Sequence, residues 1–123
     1  MKTSTWLAAL FKSIDTKNTQ AFADFLAGDV LFRFGNAPAV KGRKAVAETV
    51  RGFFQSIRGL HHELTQIWIQ EDAIICHGQV TYTRIDGSIL SVPFANIFTL
   101  SGDVVSRYLI FVDLSELYAS PVK

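Results

Sequence analysis

Apolar side chains in this 123-residue chain recur first at intervals of three and four and then, after Gly59, at intervals of two. From Ser4 to about Asp15, Trp6, Leu7, Leu10, Phe11 and Ile14 fall on one stripe. That spacing predicts an amphipathic helix with Ser4 as its amino-terminal cap. The polar break Asp15 to Thr19 leads into a second short helix, Gln20 to Ala27, in which Ala21, Phe22, Phe25 and Leu26 share a face and Gly28 marks the end. Val30 to Phe34 alternates as a strand, and Gly35-Asn36-Ala37-Pro38 ends it with turn chemistry. A third helix runs from Gly42-Arg43 to about Arg58, its stripe formed by Ala45, Val46, Val50, Phe53, Phe54 and Ile57, and Gly59 closes it. These aromatics read as core-facing side chains.

Four strands follow: Leu60 to Gln70, Ala73 to Ile85, Ser88 to Leu100 and Val104 to Asp113. The turns between them are Glu71-Asp72, Asp86-Gly87 and Ser101-Gly102, and Asp-Gly between alternating runs is a strong hairpin signal because a type I′ turn needs positive φ at both central residues. The order helix, helix, strand, helix and a four-strand meander predicts an α+β domain over residues 1–123, with helices packed on one face of a curved, mostly antiparallel sheet.

Two-residue turns would set Gln66 opposite His77, His77 opposite Asn96, and Asn96 opposite Arg107. One face would then mix the polar row Gln66, His77, Asn96 and Arg107 with His62, Gln79, Trp68, Phe94, Phe98, Leu109, Phe111 and Asp113. The other would be nearly all apolar, with Ile67, Ile69, Ile74, Cys76, Val80, Tyr82, Ile97, Tyr108, Ile110 and Val112. The mixed face is expected inward, under the helices, around a pocket for a small apolar molecule. The apolar face is expected to pair back to back with a second copy, since so large an exposed patch on a monomer invites aggregation. A β-bulge would reverse these assignments beyond it, because one extra residue flips every later side chain.

Charge and cysteine content narrow the class. With 12 basic and 11 acidic residues, a net charge of +1 and no basic cluster, nucleic acid is not an expected partner. No apolar run approaches the roughly 20 residues that span a bilayer. The amino-terminal MKTSTWLAALFKSID is interrupted too soon by Lys12 and Asp15 for a signal peptide, and the single Cys76 cannot form an intramolecular disulfide, so a cytoplasmic setting is expected.

The paired amino-terminal helices, GRKAV, GLHHELTQIW, VTYTRIDG, VPFANIF and YLIFVDLSELYA, in this order and spacing, resemble the nuclear transport factor 2-like superfamily and, within it, SnoaL-like domains. The resemblance implies a cone-shaped, cystatin-like half-barrel. It leaves the activity open, since the superfamily includes ketosteroid isomerases, polyketide cyclases, scytalone dehydratase, limonene epoxide hydrolase and domains that only bind or assemble. The tyrosine and aspartate base of ketosteroid isomerases align with Leu10 and Arg33 and are absent here. Their second aspartate aligns with Asn96, whose amide can still donate to an oxyanion.

The acid/base residue of related polyketide cyclases finds its counterpart in Asp113. On an inward face that carboxyl would be desolvated and its pKa raised; otherwise it caps the turn Leu114 to Leu117 or joins an ion pair. His77 would shuttle a proton or complete a buried hydrogen-bond row, and Arg107 would hold an oxyanion or serve as a structural partner. A metal site from His62, His77 and Asp113 is not expected, because the three fall in different rows of the sheet. Cys76 has no cationic neighbour on its face and is not expected to be a nucleophile. The resulting expectation is a cofactor-free isomerase, cyclase or dehydratase acting on an apolar oxygenated molecule, with a non-catalytic binding or dimerisation domain as the alternative.

Overall fold

A computed structural model describes residues 4–118. Its elements are α1 (Ser4–Asp15), α2 (Thr19–Ala23), β1 (Leu26–Phe34), β2 (Val40–Lys41), α3 (Arg43–Gln55), β3 (Gly59–Ile69), β4 (Ala73–Thr83), β5 (Ile89–Ser101) and β6 (Val104–Val112). The strands form one six-stranded sheet in the order β2-β1-β6-β5-β4-β3, curved and unclosed. Its neighbours pair antiparallel except β1 and β6, which run parallel.

The helices form where the three- and four-residue periodicity predicts them, because each can bury one stripe. Leu7, Leu10, Phe11 and Ile14 of α1 and Val46, Val50 and Phe54 of α3 enter a continuous core with Phe22, Val30, Phe32, Val80, Phe98 and Tyr108. Removing a side chain such as Leu or Phe from water contributes about 1.5–3 kcal/mol. Lys17, at φ 56°, turns the chain between α1 and α2 and donates from Nζ to the carbonyls of Phe54 and Ile57. A cation there satisfies carbonyls left open at the carboxy end of α3.

The second helix is shorter than its apolar pattern suggests. Asn18 caps it by accepting from the Ala21 amide, and it stops at Ala23. Phe25 and Leu26 are drawn into the sheet instead: the Val105 amide donates to the Phe25 carbonyl, and Leu26 lies beside Val105 in the parallel pair. Tertiary pairing overrides local propensity here. Gly28 consequently lies within β1 and ends no helix.

The strand meander is present, but its register corrects the expected faces. Gln66 does pair with His77 across β3 and β4. The next hairpin has three loop residues, not two: Arg84 and Ser88 close Ile85-Asp86-Gly87, with Gly87 at φ 90°. This type I turn plus glycine shifts the register by one, so Cys76, not His77, faces Asn96. The last turn is Gly102-Asp103, with Gly102 at φ 61°, and an extra residue, Ser106, bulges from β6 between the pairs Thr99–Arg107 and Leu100–Val105. Asn96 therefore faces Ile110, and Arg107 lies beside Thr99.

A further bulge at Thr65 separates the pairs Leu64–Gly78 and Gln66–His77. Ahead of it His62 and Leu64 face the helices; beyond it Gln66 and Trp68 face away. The concave face carries Ile74, Cys76, Val80 and Tyr82 of β4, Phe94, Asn96 and Phe98 of β5, and Tyr108, Ile110 and Val112 of β6. The convex face carries the row Trp68, Ile75, Ile97 and Leu109, and beside it Gln66, His77, Ala95 and Phe111.

Candidate functional site

Between α3, the end of α1 and the concave face lies a partly open cavity of about 40 Å³. Its walls are aromatic and aliphatic, with Phe34 and Phe53 in edge-to-face contact at 4.8 Å and Phe53 against Tyr82 at 6.0 Å. Polar groups enter this wall from His62, Thr49, Asn96, Tyr82 and Tyr108, while among the described residues no Lys, Arg, Asp or Glu lines it.

His62 is the group with acid/base capacity. Its Nδ1 lies 2.6 Å from Asp15 Oδ1, and its backbone amide donates to Asp15 Oδ2 at 3.0 Å. Phe11 and Phe94 enclose the ring, with centroids 4.8 and 5.0 Å away. A carboxylate at Nδ1 holds the proton on that nitrogen and leaves Nε2 as the basic one. Nε2 makes no hydrogen bond among the described residues. His61 approaches the same carboxylate from the exposed side, its Nδ1 3.7 Å from Oδ2. Outside the cavity, Lys12, Asp15, His61 and His62 border a groove of about 420 Å³ between α1 and β3.

Asn96 is 1% exposed. Its Nδ2 donates to Tyr108 Oη at 3.3 Å, a long bond, and its Oδ1 has no partner among the described residues. Tyr108 is packed against Phe98 at 4.3 Å and Phe32 at 5.5 Å, and burial pushes its hydroxyl well above the usual phenol range. Tyr82 is shifted upward for the same reason. Cys76, paired with Asn96, is buried, and desolvation pushes its thiol up to about 12.

Of the residues expected at the site, Asn96, His62, Phe94 and Phe98 lie on the concave side. His77, Arg107, Gln66, Gln79, Trp68, Leu109 and Phe111 lie on the convex face, for the register reasons given above. His77 stacks on Trp68 there, centroids 5.7 Å apart. Asp113 is exposed just after β6, and its Oδ1 accepts from the Ser115 amide at 2.9 Å. That bond holds its carboxyl below the usual range, the reverse of the desolvated acid expected. The turn-capping alternative is the one the structure bears out.

Leu10 is fully buried, and Arg33 is exposed, donating to the Ala37 carbonyl. The residues that sequence reasoning missed are Asp15, Tyr82 and Tyr108. Asp15 looked like part of a polar break, and only the fold brings it to a histidine 47 positions later. Among the described residues no three His, Cys, Asp or Glu side chains are grouped to hold a metal ion, and no helix is long and apolar enough to cross a membrane.

A curved, unclosed sheet with helices on its concave side and a polar-studded cavity between them defines a nuclear transport factor 2-like cone fold. The SnoaL-like domain family model matches residues 7–108, and the chain belongs to that family.

Solved structures agree on the fold. A Catenulispora acidiphila protein with a ketosteroid isomerase-like fold, in complex with trimethylamine, superposes with a TM-score of 0.82 at 15% identity, covering 90% of this chain and 87% of its own. A putative SnoaL-like polyketide cyclase from a Jannaschia species gives 0.79 at 17% identity, covering 94% and 90%. An epoxide hydrolase of M. tuberculosis gives 0.77 at 10% identity, covering 91% and 83%. No curated protein matches the chain.

Proposed function

We propose that this SnoaL-like domain is an enzyme that moves a proton on a small, largely apolar, oxygen-bearing molecule. His62 is the general base and acid, and Asp15 is the positioning residue that fixes its tautomer and orientation. The observation that carries this reading is the 2.6 Å bond from His62 to Asp15 on the wall of a cavity lined mostly by aromatic and aliphatic side chains. Exclusion of water by Phe34, Phe53 and Phe94 would strengthen the local electrostatics. The similar folds described as a polyketide cyclase and an epoxide hydrolase are compatible with such chemistry.

The experiment is hydrogen–deuterium exchange into a panel of cyclic ketones and hydroxyketones in D2O, followed by NMR. Wild-type protein should accelerate exchange beside the carbonyl, and His62→Gln should remove the acceleration. Equal rates for the two proteins would sink the assignment.

A second copy of the chain is the proposed partner for the convex face. Trp68 (47% exposed) and Ile75 (36%) stand there within the apolar row Trp68, Ile75, Ile97 and Leu109, with Phe111 (54%) in the row beside it. A cytoplasmic setting is proposed on the lone, buried Cys76.

A further inference from the structure

The strongest unexplained feature of the cavity is the carboxamide of Asn96. Buried polar atoms without partners are costly, and native proteins retain few of them. Asn96 Oδ1 is such an atom, in a side chain only 1% exposed. The groups around it offer no remedy. One hydrogen of its own Nδ2 goes to Tyr108 Oη, and neither can reach back to Oδ1 of the same amide. Cys76, the cross-strand partner of Asn96, makes no bond to Oδ1. Ile110, its partner on the other side, has no polar side chain.

The hydroxyl oxygen of Tyr108 accepts a hydrogen bond from Asn96 Nδ2, and its own hydrogen has no acceptor among the described residues. Among the described residues the cavity wall thus carries a spare acceptor, Asn96 Oδ1, beside two spare donors, the Tyr108 hydroxyl hydrogen and the second Nδ2 hydrogen of Asn96. A single hydroxyl answers both kinds: it donates to Asn96 Oδ1 and accepts from Tyr108, closing a ring of three hydrogen bonds. A ketone oxygen accepts from the donors alone and leaves Oδ1 unpaired. An ionised group finds no opposing Lys, Arg, Asp or Glu among the described residues of the wall. We infer that the cavity selects a neutral molecule bearing a hydroxyl, with Asn96 Oδ1 as the atom that reads the hydroxyl proton. This rests on the reading of the cavity as the ligand site and names the chemical class of its occupant.

The test compares three rings of similar size, cyclopentanol, cyclopentanone and methylcyclopentane, titrated into 15N-labelled protein while the side-chain amide of Asn96 is followed by NMR. Cyclopentanol should bind about tenfold more tightly than either analogue, the difference that one well-placed hydrogen bond supplies. Asn96→Leu should abolish that preference and raise the melting temperature, since it removes an unpaired acceptor at similar volume. Tyr108→Phe should free the Asn96 amide protons and shift the preference towards cyclopentanone.

Tighter binding of cyclopentanone by wild-type protein would overturn the inference, because Asn96 would then be presenting its N–H groups. Equal or tighter binding of methylcyclopentane would overturn it too, as would no binding of any of the three, which would leave a resident water as the partner of Oδ1. The titration reads affinity, not turnover. Cyclopentanol selection without proton exchange would preserve this inference and remove the catalytic reading; exchange without selection would do the opposite.

Discussion

His62 and Asp15 are joined twice, through the imidazole Nδ1 at 2.6 Å and through the histidine backbone amide at 3.0 Å. The double attachment ties the end of α1 to the first strand of the meander and sets the ring's orientation at the same time. Asp15→Ala should therefore have two effects. It should destabilise the fold by about 1–3 kcal/mol, the cost of leaving partly buried donors unpaired. It should also release the tautomer, seen as a change in the His62 ring 15N shifts. Unfolding in urea and 15N NMR measure the two separately, and unchanged ring shifts would remove Asp15 from its positioning role.

Gly78 lies opposite the Thr65 bulge, and a Cβ built on it runs into the Glu63 carbonyl and the Leu64 backbone. Neither obstacle is a flexible side-chain end. Gly78→Ala should cost about 3 kcal/mol, the upper range for overpacking, because backbone must move to admit the methyl group. A urea midpoint within error of wild type would show that β3 relaxes at no cost.

Cys76 gives the protein an alkaline weakness. Its thiol ionises near 9.0 when unperturbed and is pushed up to about 12 by burial. The unfolded chain therefore loses this proton first. The contribution to stability is full below about pH 9 and is lost as pH rises from there towards the folded value, at up to about 1.4 kcal/mol per pH unit. Cys76→Val should flatten the stability profile between about pH 9 and 10, before the buried Tyr82 and Tyr108 join the trend. In the native protein at pH 8, alkylation by iodoacetamide should proceed only through unfolding, so its rate should rise with urea.

The convex face makes a prediction about assembly. Trp68→Glu places a charge in the row with Ile75, Ile97 and Leu109 and next to His77. If a second copy covers this face, wild-type protein should sediment as a dimer at micromolar concentration and the variant as a monomer with unchanged circular dichroism. A monomeric wild type would remove the proposed partner.

The architecture was legible because it depends on periodicity, which survives small errors of alignment. Periods of three to four and then of two yielded α1, α3 and the four strands β3 to β6 almost to their ends. The site depends on parity, which does not survive them. One loop residue more at Ile85-Asp86-Gly87, and one bulged residue each at Thr65 and Ser106, were enough to exchange His77 for Cys76 and Arg107 for Tyr108 on the concave face. Asp-Gly is compatible with both two- and three-residue hairpins, so the choice lay in the packing of β4 against β5 and not in the dipeptide. Asn96, Phe94, Phe98 and His62 lie on the helix side in the expected and the observed register alike. The pairing of His62 with Asp15 had no local signal, because it joins a helix end to a strand 47 positions away.

The parallel pair β1–β6 has a consequence for how the protein is made. Phe32 in β1 lies beside Tyr108 in β6, so a strand that leaves the ribosome early completes its sheet only when the last strand has emerged. Until then Val30 and Phe32 lack their neighbour, and the nascent chain carries an open strand edge with its core half-assembled. Pairings this distant in sequence make folding slow relative to helical domains of the same size. A chain cut short before Val104 should thus be a client for chaperones, whereas the finished chain buries the same residues with no edge left between its first and last long strands.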